Sequence, residues 1–204
     1  MTPKRSEALQ QLRSEIVDLR ESPLYAYRVE NEYFPVIGQG SETAKIMFIG
    51  EAPGEKEART GKPFCGASGR VLDELLESIH LSREAVYITN IVKDRPPKNR
   101  DPHKGEIALY APFLERQIAI IQPTVIATLG RFSMEFILTL FGAEEKGQKI
   151  SQLHGKTIRI NTSYGTAQCV PLYHPAVALY NANQKSTLIE DFQILRAFLS
   201  GDDV

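Results

Sequence analysis

Apolar residues in this chain follow two patterns, short continuous runs and stripes with a helical period. The run at residues 124–129 is almost wholly apolar, which is typical of a strand covered on both faces. Other stretches place apolar side chains three and four positions apart, as one face of a helix does. We predict strands at 45–49, 86–89, 124–129, 157–161 and 168–172, and helices at 5–21, 71–79, 106–121, 132–141 and 185–199.

Strands that alternate with helices predict a parallel sheet, because each crossover helix returns the chain to the same end of the sheet. We therefore expect an α/β fold with three α/β/α layers around a central, mainly parallel four-stranded sheet. The length of 204 residues and the 42% apolar content suit a single domain over residues 1–204, with an N-terminal helix at 1–21 packed on it.

Two glycine-rich turns lie between the first apolar strand and the helix that follows it. The first reads Gly50-Glu51-Ala52-Pro53-Gly54, and the second, at residues 61–70, reads GKPFCGASGR. Such turns bring backbone N–H groups close to a ligand, and glycine is needed where a Cβ would block that approach. Since the second turn opens a helix, its free N–H groups also favour an anion.

Three polar side chains come directly after predicted strands: Glu51, Asn90 and His174. Ligands of parallel sheets lie beyond the carboxyl ends of the strands. We therefore expect these three side chains to converge on one pocket.

A basic segment, KDRPPKNRDPHK at residues 93–104, begins three positions after Asn90 and holds five basic and two acidic residues. Its prolines exclude a continuous helix. A solvated surface loop is one interpretation. Its place at the rim of the pocket favours another, in which Lys93, Arg95, Lys98 and Arg100 contact DNA phosphates.

Together with Tyr173-His174-Pro175-Ala176, these motifs resemble those of the uracil-DNA glycosylase superfamily, closest to its family 4 branch, which usually carries an iron-sulfur cluster. The resemblance runs from about Ile46 to about Phe198, in order and in spacing. It implies an enzyme that hydrolyses the N-glycosidic bond of flipped-out deoxyuridine in DNA and so starts base excision repair.

The resemblance also implies roles for individual residues. Phe64 would stack on the base, Asn90 would read its edge, and His174 would donate to the oxygen that gains charge. Gly50, Ala52 and Ser68 would complete the substrate site, and Leu179 or Tyr180 would be a wedge in the duplex. The best-known members of the superfamily have a water-orienting aspartate where Ala52 stands, whereas family 4 members commonly have Glu-Ala or Glu-Gly there. Glu51 would then orient the water, with Glu55 and Glu57 as alternatives. Without the resemblance, Phe64 could be core, Asn90 a turn residue and His174 a structural hydrogen-bond partner.

The chain departs from the family at the cluster. Relatives supply four cysteines, two of which correspond to Asp94 and Tyr110 here, and the only cysteines of this chain are Cys65 and Cys169. We therefore expect no iron-sulfur cluster, no metal and no cofactor. Packing among aromatic residues would have to order that region instead: Tyr25, Tyr27, Tyr33 and Phe34.

Composition limits the remaining choices. A formal net charge of −1 argues against a protein that coats nucleic acid non-specifically. No membrane-length apolar run or signal-peptide core is visible, so we expect a cytoplasmic monomer that acts on single- or double-stranded uracil-containing DNA. Two alternatives remain: a uracil- and DNA-binding module of the same fold with weakened catalysis, and an unrelated nucleotide-binding α/β protein.

Overall fold

A computed structural model describes residues 4–199 and shows one mixed sheet. The strands are β1 (Gln39–Gly40), β2 (Ile46–Gly50), β3 (Tyr87–Asn90), β4 (Val125–Leu129), β5 (Ile158–Thr162) and β6 (Gly165–Leu172). Their order in the sheet is β1-β3-β2-β4-β6-β5. The four central strands are parallel, and β1 and β5 pair antiparallel at the two edges.

The mainly parallel sheet is confirmed, but its predicted count of four strands is corrected to six. Strand β5 joins the sheet through a hairpin with β6. Strand β1 spans two residues and was not predicted, because so short a strand leaves no readable pattern of apolar positions.

Helices cover both faces of the sheet. They are α1 (Arg5–Val17), α2 (Tyr25–Glu30), α3 (Glu55–Thr60), α4 (Ala67–Ser78), α5 (Lys104–Ile121), α6 (Arg131–Leu140), α7 (Ile150–Leu153) and α8 (Ala182–Gln193). Short 3-10 helices occupy Pro97–Asn99, Pro175–Leu179 and Ile194–Phe198. Helix α1 thus ends at Val17, four residues earlier than predicted. Helix α8 ends at Gln193, where a 3-10 helix begins.

Two hydrophobic cores lie on opposite faces of the sheet. Along β2, Met47 and Ile49 belong to one core and Ile46 and Phe48 to the other, as the alternation of side chains along a strand requires. Helices α1, α5 and α6 pack into the first core, and α4 and α8 into the second. These contacts confirm the three α/β/α layers. Within residues 4–199, no helix is both long and apolar enough to cross a bilayer.

The register of the parallel strands fixes where their carboxyl ends meet. Gly50 at the end of β2 pairs with Asn90 at the end of β3, and Leu129 of β4 pairs with Leu172 of β6. The segments that follow these strands, including Glu51 and His174, therefore leave the sheet together, at the carboxyl ends of the central strands.

Candidate active site

A cavity of about 240 Å³ lies beyond the carboxyl ends of the central strands. It brings together the three polar side chains predicted to converge, Glu51, Asn90 and His174, and adds Phe64. Its lining consists of Glu51, Ala52, Pro53, Gly54, Glu57, Phe64, Ser68, Asn90, Pro96, Asn99, Arg100, Asp101 and His174. The cavity is smaller than the roughly 300–1,000 Å³ of typical small-molecule sites, so it suits a single ring more than a whole nucleotide.

Gly50 allows two of these side chains to approach the sheet. A Cβ at this position would lie 2.3 Å from Asn90 Oδ1 and 2.7 Å from Phe64 Cζ, well inside contact distance. Any side chain at residue 50 would therefore displace both. Gly50 shapes the cavity without lining it.

The His174 ring has a defined orientation and tautomer. Its Nδ1 accepts a hydrogen bond of 3.1 Å from the backbone N–H of Ala176, so the proton of the neutral ring resides on Nε2. Burial lowers the pKa of His174 to about 4, although attraction from Glu57 opposes this shift. The ring centroid lies 5.6 Å from that of Phe64. His174 therefore presents a neutral N–H donor beside an aromatic wall.

The Asn90 amide is buried at the end of β3, and within residues 4–199 it makes no hydrogen bond to another protein group. Its main chain, in contrast, is fixed. Lys93 Nζ donates to the Asn90 carbonyl and to Thr89 Oγ1, each at 2.7 Å. Because Asn90 lines the cavity, its unpaired amide donor and acceptor are available to a ligand there.

Glu51 is half-buried and has an unusual acidity. Burial, and then repulsion from Asp101, raises the pKa of Glu51 to about 7, while attraction to Arg131 opposes the rise. Its carboxyl group therefore changes charge close to neutral pH, as groups that position water or transfer protons in enzymes often do.

The expectation of an anion at the start of α4 is corrected, because the protein supplies its own. Glu57 Oε1 accepts hydrogen bonds from the N–H groups of Cys65 and Gly66, at 2.9 and 2.8 Å. A carboxylate at a helix N-terminus satisfies its free donors. Glu57 thus holds the turn that carries Phe64. Ala52 and Ser68 line the cavity, and their contact with substrate stays a prediction.

The basic segment divides into a buried and an exposed half, which corrects two predicted DNA contacts. Lys93 is fully buried, where it bonds to Thr89, Asn90 and Gln117, so its ammonium cannot reach a phosphate. Burial also lowers the pKa of Lys93 well below its usual value. Arg95 is nearly buried between Tyr33, Glu55 and Asn99.

Lys98 and Arg100 remain accessible. Lys98 is exposed, and Arg100 lines the cavity while its guanidinium forms two hydrogen bonds with Glu106. Leu179 ends the 3-10 helix that follows His174, Tyr180 comes directly after it, and the two residues are 43% and 88% exposed. Of these four residues, Arg100 lines the cavity, whereas Lys98, Leu179 and Tyr180 do not.

Sequence reasoning missed Asp101, Pro96 and Asn99 as lining residues. All three belong to the basic segment, which attracted attention for its charge alone. A signal was nevertheless present, because the segment that follows a strand at the carboxyl edge of a parallel sheet commonly contributes to the site.

Comparisons with known proteins agree with this geometry. The family described as "Uracil DNA glycosylase superfamily" matches residues 37–195. The chain is 41% identical over 93% of its length to a type-4 uracil-DNA glycosylase of Sulfurisphaera tokodaii, covering 84% of that protein. It is equally similar to one of Archaeoglobus fulgidus, at 41% over 92% of this chain and 91% of the relative. A third, of Saccharolobus solfataricus, is 46% identical over 83% and 78%. The chain belongs to the uracil-DNA glycosylase superfamily.

The residues at the position of the family's iron-sulfur cluster do not fit such a group. Tyr110 Oη donates to Asp94 Oδ2 at 2.6 Å, and Arg28 Nη1 donates to Asp94 Oδ1 at 3.2 Å. Ser22 Oγ lies 2.9 Å from Tyr110 Oη. All four side chains are buried, and the described residues contain no cluster of His, Cys, Asp or Glu suited to a metal. We call Ser22, Arg28, Asp94 and Tyr110 the Asp94 network.

The Asp94 network also corrects the expectation that aromatic packing orders this region. Tyr27 and Tyr33 do meet edge to face, and Arg28 lies over the ring of Tyr25. Phe34, however, is 57% exposed. Polar contacts therefore join the N-terminal segment, the loop after β3 and helix α5 in addition to their apolar packing in the first core, since Arg28 also donates to the carbonyls of Ile16 and Val17.

Proposed function

We propose that the protein removes uracil from DNA by hydrolysing the bond between the base and the deoxyribose of a flipped-out nucleotide. The observation that carries the proposal is the set of groups facing one small cavity. The Asn90 amide, the Nε2–H of His174 and the Glu51 carboxyl have no partners among the described protein groups, and the Phe64 ring lies beside them.

Recognition of the base follows from the Asn90 amide and the Phe64 ring. An amide offers one acceptor and two donors, which match the alternating N–H and carbonyl groups of uracil. The amino group of cytosine would instead meet the amide N–H and leave it unpaired. An unpaired buried polar group costs about 1–3 kcal/mol, which is enough to disfavour the wrong base.

Catalysis requires that the charges formed during bond cleavage be stabilised. As the glycosidic bond breaks, the departing base carries negative charge and the sugar carries positive charge. The neutral His174 can donate from Nε2 to the base oxygen, and a positioned donor of this kind is worth about 3–4 kcal/mol. Glu51, as a carboxylate, can orient the water and accept one of its protons as the water oxygen bonds to the sugar carbon, while the base leaves with the electrons of the broken bond.

DNA would lie across the outer surface of the cavity. In this proposal Lys98 and Arg100 contact phosphates, and Leu179 or Tyr180 fills the gap that the extruded base leaves. The exposure of Lys98, Leu179 and Tyr180 supports it. The substrate would be uracil-containing DNA, single- or double-stranded, and the protein would act as a cytoplasmic monomer without a cofactor. Gel filtration of the purified protein tests the monomer.

The test of the function is an excision assay. A labelled oligonucleotide with one uracil is incubated with the protein, and alkali then cleaves any abasic site. We expect cleavage at the uracil and none in the matched oligonucleotide with thymine. Binding of the uracil strand in a gel without cleavage would overturn the proposal in favour of a binding module. A protein that neither binds nor cleaves the strand would contradict both functions.

A further inference from the structure

The turn that presents Phe64 to the cavity has a strained backbone. Phe64 has φ of 48°, in the left-handed region that side chains other than glycine rarely adopt. Such a conformation costs about 1–2 kcal/mol and persists only where surrounding contacts impose it. Its carbonyl also lies against α4, where a Cβ at Gly69 would come within 1.7 Å of Phe64 O. Some interaction must therefore stabilise this turn.

Two charged side chains, Glu57 and Arg83, bind different peptide groups of the turn. Glu57 accepts from the N–H groups of Cys65 and Gly66, which follow Phe64. Arg83 donates from Nη2 to the carbonyls of Pro63 and Phe64, the latter at 2.8 Å. The peptide groups that precede and follow Phe64 in the chain are thus bound to charged partners, which make stronger hydrogen bonds than neutral ones.

Arg83 is itself anchored outside the cavity. It lies in the segment between α4 and β3, and its Nη1 donates to Asp73 of α4 at 2.6 Å. The side chain of Arg83 is 22% exposed, and Arg83 is not among the residues that line the cavity. It therefore has no direct contact with a base bound there.

We infer that Arg83 is a positioning residue for Phe64, and that its guanidinium, held by Asp73, keeps the ring against the bound uracil. The inference rests on the proposed function, since it deepens the account of the same site. A forked guanidinium can span two carbonyls and a carboxylate together, which a lysine ammonium does with poorer geometry.

The experiment compares Arg83→Ala, Arg83→Lys, Phe64→Ala and the Arg83→Ala/Phe64→Ala double variant. The readouts are kcat and KM on the uracil oligonucleotide and inhibition by free uracil. Arg159→Ala is the matched control, because Arg159 is an exposed arginine on the edge strand β5. Thermal melting of each variant reports whether it is folded at the assay temperature.

We expect Arg83→Ala to lower kcat/KM by about tenfold to a hundredfold, the range that a small misplacement of a binding group produces. Inhibition by free uracil should weaken in parallel, and Arg83→Lys should lie between. Millimolar guanidinium should restore part of the activity of Arg83→Ala but not that of Phe64→Ala. In the Phe64→Ala background, removal of Arg83 should have no further effect.

Other outcomes would overturn the inference. If Arg83→Ala lowers the activity of the Phe64→Ala protein by the same factor as that of wild type, Arg83 does not act through Phe64. Unchanged uracil inhibition in both folded Arg83 variants would be equally decisive. An inactive wild-type protein would instead refute the proposed function, so the two failures are distinguishable.

Discussion

The Asp94 network and the cavity are both clusters of polar side chains, fully buried in the first and partly buried in the second, and their hydrogen bonding is opposite. In the network, Asp94 accepts from Arg28 and Tyr110, and Tyr110 also meets Ser22. In the cavity, the Asn90 amide, the Glu51 carboxyl and Nε2 of His174 have no such partners among the described residues. Satisfied polar groups hold a fold together, whereas unsatisfied ones are available for a ligand. We therefore expect substitutions in the Asp94 network to lower stability and substitutions in the cavity to lower activity.

The largest expected effect is on stability, at Asp94. Asp94→Ala leaves Arg28 buried without its carboxylate, and loss of one partner of a buried pair costs about 3–5 kcal/mol. We expect the urea midpoint of unfolding to fall accordingly. The activity of the remaining folded protein, measured at low temperature, should change little.

Glu74→Ala is the control for this variant, since Glu74 pairs with Lys185 at the surface, where the two side chains are 55% and 45% exposed, and its loss should matter little to the midpoint. A midpoint of Asp94→Ala equal to that of wild type would remove the distinction between the two clusters.

The next effect is on catalysis, at His174 and Asn90. Loss of one positioned donor lowers the rate by about a hundredfold to a thousandfold, so we expect this of His174→Ala. Asn90→Ala should cost at least about tenfold, because it loses the contacts that read the base. Neither change should lower the unfolding midpoint as Asp94→Ala does, and single-turnover assays with urea melts measure both properties.

For His174→Ala the control is His80→Asn, because His80 is exposed with a positive φ of 59° and asparagine tolerates that backbone. Full activity in both His174→Ala and Asn90→Ala would mean that the cavity is not the active site.

The smallest effect is a pH dependence from Glu51. The pKa of Glu51 is about 7, so its carboxylate is lost as the pH falls through 7, while His174, with a pKa of about 4, stays neutral. We expect kcat/KM to fall by up to about tenfold per pH unit below 7 and to level off above it. Glu51→Gln should lower the rate and abolish the slope.

Stability should respond to Glu51 in the opposite direction. The raised pKa means that the folded state binds this proton more tightly than the unfolded state does. The free energy of unfolding therefore decreases as the pH rises from about 4.5 to 7, and Glu51→Gln should reduce that decrease. A slope in kcat/KM that survives in Glu51→Gln would show that another group titrates.

The sequence predicted the parts of the molecule that follow from local pattern. Apolar runs located the parallel strands, and Glu51, Asn90 and His174 could be placed on one edge because each directly follows a strand. Their convergence needed no knowledge of side-chain packing, only of the sheet. The role of Phe64 depended on the family resemblance, because an isolated phenylalanine resembles any core residue.

Predictions from charge alone were less successful. Lys93 and Arg95 read as part of a basic surface segment, but their environment is set by distant residues, Gln117 of α5 and Tyr33 among them. Nothing near Lys93 in the sequence indicates that an acceptor 24 positions away will enclose it. The pairing of Asp94 with Arg28, 66 positions earlier, could not be read from the sequence for the same reason.

The chemistry of the Asp94 network has a consequence for the conditions under which the enzyme would work. Carboxylate, guanidinium, phenol and hydroxyl groups neither lose electrons to peroxide nor need a scarce transition metal for assembly, unlike iron-sulfide centres held by thiolates. The four side chains of this junction therefore include no thiolate for peroxide to oxidise. Unfolding curves recorded with and without a chelator, or after peroxide treatment of a protein lacking Cys65, would superimpose.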